Sequence, residues 1–211
     1  MAKIRDAGKS RQNILAAAET EFAEKGFYGA RVDEVAVQAG INKRMIYAYF
    51  GDKEGLYKQV LFRVYARMED VERELVEQQY SGTELIEKII SAYFQFLKSN
   101  PTFVSILMWE NLNKGRYLQE IESSRIERAT IRYFVGALEE GKASGLFRPE
   151  IDSWQTVISL ITTCFANFSN QYTLSKLFHT DLGSEAVLEQ RRKHTTDLIL
   201  AYLCKDSKED S

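Results

Sequence analysis

The stretch Val32-Asp33-Glu34-Val35-Ala36-Val37-Gln38-Ala39-Gly40-Ile41-Asn42-Lys43-Arg44-Met45-Ile46-Tyr47-Ala48-Tyr49-Phe50 decides how this chain folds. Val35, Ala36 and Ala39 place apolar side chains on one face of a short helix. Gly40 can supply a left-handed turn, after which Ile41, Met45, Ile46 and Tyr49 resume a helical period. The small Ala36 allows a second helix to cross closely, so the stretch predicts a helix-turn-helix. Lys43, Arg44, Tyr47 and Ala48 then face outward on the second helix, a surface able to meet phosphates and base edges. The pattern implies a helix that reads DNA.

Working outward, 211 residues suffice for one large or two small domains with a substantial core. Two prolines and few Asn-Gly or Asp-Gly turns argue against an all-β fold, and the hydrophobic periods are helical throughout, so the expected class is all-α. A net charge of −2 excludes a generally basic nucleic-acid binder. The charge is uneven, however. Lys3, Arg5, Lys9 and Arg11 oppose only Asp6 near the start, and Arg31, Lys43, Arg44, Lys53 and Lys58 follow around the motif. Acids then dominate, among them Glu69, Asp70, Glu72, Glu74, Glu77, Glu120 and Glu122. An acidic body with a basic end fits a protein that touches DNA at one end only. Cys164 and Cys204 lack the CxxC spacing and read as reduced thiols of a cytoplasmic protein. The N-terminus lacks the apolar segment of a signal peptide, and Val157–Phe168 is too short and too interrupted to span a bilayer, so no membrane association is expected.

In chain order, Met1–Lys9 reads as a flexible basic arm and Ser10 as the N-cap of a helix ending at Gly26. Asp52 caps a long helix running from Lys53 to about Tyr80. Lysine is electrostatically disfavoured at a helix N-terminus, and a DNA phosphate beside Lys53 would account for it. Thr83 caps the next helix, and Asn100-Pro101 opens another that ends near Asn113. Tyr117 to about Lys142 is amphipathic, with Ile121 and Ile126 in its apolar stripe. Asp152 and Gln155 resemble a capping box for a helix from Ser153 to about Leu177 that is apolar nearly all round. A last helix begins near Ser184, before the charged tail Lys205–Ser211.

By Lys53 the residues resemble the TetR family of transcriptional repressors. The run is Ile14, Ala17-Ala18, Phe22, Gly26-Phe27, then Val35-Ala36, Ala39-Gly40-Ile41-Asn42-Lys43, then Ile46-Tyr47, Tyr49-Phe50, Lys53-Glu54 and Leu56. Each piece alone is weak; together and in this order they are specific. The resemblance implies a homodimer with an N-terminal three-helix DNA-binding domain, residues 1–52. A long helix joins it to a larger helical effector-binding and dimerisation domain, residues 53–211. It also implies that Lys43, Arg44 and Tyr47 read bases or adjacent backbone, with Asn42 and Ala48 on the same surface, and that Tyr49 and Lys53 meet phosphates. Where the family usually has Ser or Thr before the first motif helix, this chain has Ala30-Arg31. Arg31 can replace the phosphate contact by charge but cannot cap the helix.

Candidate effector residues are Tyr93, Phe103, Leu107, Glu110, Phe165 and Phe168. Phe103, Ile106, Leu107 and Glu110 fall at i, i+3, i+4 and i+7, which turns a carboxylate toward an apolar face. Two roles are open for Glu110: a pocket wall, or an internal salt-bridge or helix-cap partner. Asn167, Asn170 and Gln171 are unusual in so apolar a helix and would face either a pocket or a partner subunit. The two C-terminal helices are the expected dimer interface, since little remains in one subunit to cover them. The expected partners are therefore a double-stranded DNA operator, a small-molecule effector and a second copy of the chain. No catalytic constellation is visible around His179 or His194, and no metal or cofactor is expected. A helical protein–protein adaptor whose αα-hairpin only mimics the DNA motif is the alternative.

Overall fold

Local sequence explains most of the boundaries in this computed structural model, which describes residues 2–121 and 129–204. Eleven helices are seen among those residues: α1 (Ala2–Gly29), α2 (Val32–Ala39), α3 (Lys43–Phe50), α4 (Lys53–Glu77), α5 (Gly82–Ser99), α6 (Pro101–Leu112), α7 (Arg116–Gln119), α8 (Ala129–Ala143), α9 (Ser153–Ser169), α10 (Gln171–Phe178) and α11 (Glu185–Leu203). The all-α expectation holds. The side chains of Lys3, Arg5 and Asp6, residues Glu122 and Ile126, and the tail Lys205–Ser211 lie outside what is described.

Two compact units result. One comprises the described residues of Met1–Arg67 and Asn100–Glu127, the other those of Met68–Ser99 and Arg128–Ser211. In the first, α1 packs on α2 and α6, and α2 on α3. An aromatic cluster lies at its centre: the Phe22 and Tyr57 rings are 4.9 Å apart, Phe27 and Tyr117 4.4 Å, and Tyr57 and Tyr117 5.1 Å. Offset and edge-on pairs of this kind add about 0.5–1.5 kcal/mol each beyond their area burial. In the second unit α5 packs on α8, α9 and α11, with Ile89, Ile90, Phe94, Leu138, Leu160 and Cys164 buried.

Five boundaries differ from expectation. Helix α1 begins at Ala2, not Ser10, because Ala2–Lys9 contains no proline and only Gly8 opposes a helix. Gly26 does interrupt α1, with φ 64° and ψ 179°, but helix resumes through Gly29. The amphipathic stretch from Tyr117 is not one helix: α7 stops at Gln119, and α8 starts at Ala129. The apolar helix from Ser153 breaks at Asn170, whose φ of −107° and ψ of 9° lie outside the helical region, and α10 follows. Finally, Thr83 lies inside α5, which starts at Gly82.

Candidate DNA-reading surface and effector cleft

The α2–α3 corner is built by local chemistry. Asp33 and Glu34 in the first turn of α2 suit its positive end. At the other end Gly40 adopts the left-handed conformation, φ 64° and ψ 35°. Its N–H donates to the Val37 carbonyl at 3.1 Å, while that of Ile41 donates to Ala36 at 3.0 Å. This paired bonding is the Schellman motif, and it needs the φ that glycine adopts without strain. Asn42 then caps α3, its side-chain oxygen accepting from the Arg44 N–H at 2.9 Å. Ile46 and Phe50 are buried, which leaves Arg44, Tyr47 and Ala48 exposed on the opposite side.

Arg44 and Ala48 are exposed, and Tyr47 is 43% exposed. Lys43 pairs with Asp33 at 2.8 Å, and its ammonium lies 5.9 Å from the Tyr47 ring centroid. That ion pair holds the Lys43 amine above its usual range. Tyr49 is half-buried, its ring 6.2 Å from that of Phe50. Arg31 is exposed and makes no cap for α2. Lys53 has an internal partner: its ammonium donates to the Ala30 carbonyl at 2.6 Å and sits 4.9 Å from the Phe27 ring centroid. Desolvation by burial lowers its pKa, opposed by the charge of Glu21. The lysine at this helix start thus has a reason that needs no phosphate.

Glu21 is the residue this corner hides from a sequence reading. Its side chain is fully buried, its carboxylate accepts from the Arg31 N–H at 3.0 Å, and Lys25 pairs with it at 2.9 Å. Burial pushes its carboxyl up, but the Lys25 ammonium and the Arg31 N–H outweigh that and hold it below the usual range.

The effector candidates fall in both units. Phe103, Leu107 and Glu110 belong to the first unit, Tyr93, Phe165 and Phe168 to the second. Glu110 takes the helix-cap role, not the pocket wall. Its carboxylate accepts from the N–H groups of Tyr117 at 2.8 Å and Leu118 at 2.9 Å, at the start of α7, and from the Tyr57 hydroxyl at 3.1 Å. Gly115 stands at the α7 N-cap position and has no side chain to offer, so the cap comes from the preceding helix. Phe103 stacks edge-on with Tyr65 at 6.0 Å, and Leu107 is half-buried.

In the second unit the Tyr93 hydroxyl and the Thr130 hydroxyl both donate to the buried Glu72 carboxylate, an acid that a sequence reading assigns to the acidic body. Phe165 is half-buried, and Phe168 packs edge-on against Phe94 at 5.6 Å. Those two rings and Leu188 floor a cleft of about 270 Å³ between α5 and α11. Ion pairs of Lys98 with Glu185 and of Arg192 with Glu189 stand at its rim, where Arg192 Nη1 also donates to Ser91 Oγ at 3.0 Å. Asn167 is buried, and among the described residues its Nδ2, like Thr195 Oγ1 and, in the first unit, Arg67 Nε, has no hydrogen-bond partner. The outer sides of α9 and α11 expose Trp154 (52%), Ile158 (49%), Leu198 (53%) and Tyr202 (50%).

Known proteins resemble both parts of the chain. Residues 14–60 match the model for bacterial regulatory proteins of the tetR family, and residues 83–199 match a tetracyclin repressor-like C-terminal domain. The HTH-type transcriptional repressor NicS of Pseudomonas putida is 30% identical over 202 residues, covering 95% of each chain. A putative transcriptional regulator from Streptomyces coelicolor, SCO4942, superposes with a TM-score of 0.70 at 25% identity, over 92% of this chain and 98% of that one. The regulator FadR of Bacillus subtilis in complex with stearoyl-CoA gives 0.70 at 20% identity, over 90% and 98%, a likeness of fold.

Proposed function

The chain belongs to the TetR family of bacterial transcriptional regulators, and from that premise we propose that it is a dimeric repressor released from its operator by a small-molecule effector. The observation that carries this reading is the outward face of α3. Arg44, Tyr47 and Ala48 stand exposed on a helix fixed by the Gly40 turn and the Asn42 cap. Arg44 reads a base edge, with Tyr47 and Ala48 against neighbouring bases. Lys43 trades Asp33 for DNA, and Arg31 and Tyr49 meet phosphates.

Dimerisation through α9 and α11 would cover Trp154, Ile158, Leu198 and Tyr202, aromatic and aliphatic side chains of the kind that anchor interfaces. The two recognition helices of such a dimer must enter successive major grooves about 34–36 Å apart. An effector releases the DNA if it binds more tightly to the state in which that spacing is wrong, each tenfold preference being worth about 1.4 kcal/mol. The amphipathic cleft over Phe94, Phe168 and Leu188 supports a small-molecule partner, as does a fold relative that holds stearoyl-CoA. The protein works in the cytoplasm, without a cofactor and not as an enzyme.

The test is selection of duplexes from random-sequence DNA by the full-length protein. Two-fold related half-sites about one helical turn apart are expected. Arg44→Ala should cost about 1–3 kcal/mol on the selected duplex and little on an unrelated one. Binding that ignores sequence would favour a protein–protein adaptor instead.

A further inference from the structure

The N-cap position of α2 carries Arg31, which has the extended backbone of a cap residue, φ −121° and ψ 127°, but makes no side-chain cap. Something else must fix where α2 begins. Ala30 C=O and Arg31 N–H are the two ends of one peptide group, and the structure holds each end with an opposite charge. The Lys53 ammonium donates to the carbonyl at 2.6 Å, and the Glu21 carboxylate accepts from the N–H at 3.0 Å. A peptide group has a dipole of about 3.5 D, and a cation at its oxygen with an anion at its hydrogen is the arrangement that dipole favours.

The next peptide oxygen, that of Arg31, accepts from Glu34 N at 3.1 Å and Val35 N at 3.2 Å, so the first turn of α2 starts from the clamped group. Helix α2 in turn packs on α3.

We infer that Glu21 and Lys53 are positioning residues for DNA reading. Gripping the Ala30–Arg31 peptide from α1 and α4, they set the start of α2 in place of a side-chain cap and thereby the pose of α3, which leaves the Arg31 side chain to the DNA. The inference rests on the DNA-reading function but reaches a part of the protein outside the base-reading face. Lys53 acts on protein backbone, whereas Arg31 supplies the charge that a phosphate sees.

The test uses the full chain, with amide exchange of Arg31 followed by NMR and binding to the duplex selected from random-sequence DNA. Glu21→Gln keeps the shape of the side chain and removes its charge. It should speed Arg31 amide exchange about tenfold and weaken binding to the duplex about tenfold, since the amide keeps an acceptor but loses its charge. The salt dependence of binding should not change for Glu21→Gln or Lys53→Met, but should shrink by about 0.9 in log–log slope for Arg31→Ala, as for loss of one phosphate contact.

Arg31→Thr places a hydroxyl at a residue with cap geometry. It should therefore weaken binding in the native background and recover affinity in the Glu21→Leu background, a change of sign that mere loss of core packing would not give. Unchanged Arg31 exchange in both Glu21→Gln and Lys53→Met overturns the clamp, and so does a lowered salt slope for Lys53→Met, which would place that ammonium on a phosphate. If no duplex is selected, the DNA reading fails while the exchange experiment still decides the clamp.

Discussion

Buried carboxylates of the first unit meet their donors within it, often far along the chain. Glu19 accepts from Thr102 and Arg67, Glu21 from Lys25 and the Arg31 N–H, and Glu110 from Tyr57 and the first amides of α7. The second unit presents a different surface. Along α9 and α11, Trp154, Ile158, Leu198 and Tyr202 stand in solvent. An ion pair or cap fixes geometry at the cost of desolvation, so the first unit is organised for a fixed pose. Exposed aromatic and aliphatic groups gain most when another surface covers them, which makes the second unit the one prepared for association.

If that contrast is right, Trp154→Glu with Ile158→Glu should act on assembly and not on folding. Sedimentation equilibrium at micromolar concentration should show a monomer. Affinity for the selected duplex should fall about a hundredfold or more as the second half-site ceases to be an intramolecular partner. A dimer of unchanged affinity would move the interface elsewhere.

The opposite behaviour is expected of Glu110→Ala in the first unit. It strands the Tyr117 and Leu118 amides and the Tyr57 hydroxyl, and urea unfolding should register about 3 kcal/mol of lost stability. The dimer should persist. Burial, ahead of the Glu110 charge, raises the Tyr57 phenol well above the ordinary range, so Tyr57 stays a neutral donor at any working pH.

A smaller effect should come from the surface of the same unit. Asp33→Asn frees Lys43 from its ion pair and should tighten binding to every duplex alike by about threefold at low salt, an exposed pair being worth about 0.2–1 kcal/mol. Tightening confined to the selected sequence would mean that Asp33 itself reads DNA.

The smallest effect is one of pH. The folded pKa of Glu21 lies below its ordinary 4.5, so its contribution is complete above that value and is lost as pH falls through the folded pKa. Urea midpoints measured from pH 6 to pH 3 should decline less steeply for Glu21→Gln than for the native chain.

What could be read in the sequence was what the chain decides locally. The left-handed turn at Gly40 and the caps at Asp52 and Asp152 form as expected, the two caps each binding an amide three residues away. The carboxylates resist such reading because their partners are remote: Glu110 meets Tyr57 from 53 positions away, and Glu19 meets Thr102 from 83. Nothing in a run of acids separates Glu72, buried under Tyr93 and Thr130, from solvated neighbours such as Glu74. The break at Asn170 was hidden too, because no proline or glycine marks it and the apolar period continues into Tyr172 and Leu174. The unfavourable place of Lys53 at a helix start is legible in the sequence, but its partner is a carbonyl of its own chain.

The interruption of α1 at Gly26 has a consequence for how this protein can change over evolutionary time. A Cβ on Gly26 would lie 2.7 Å from the Trp109 ring, and the Trp109 indole N–H is itself tied to the Ala23 carbonyl at 3.1 Å. At φ 64° the backbone there is also one that side chains rarely adopt. Positions 26 and 109 are therefore a matched pair of smallest and largest residue. A lineage that gives up the glycine must shrink the tryptophan in the same step or surrender the bend, so among descendants of this sequence the two sites should be inherited together.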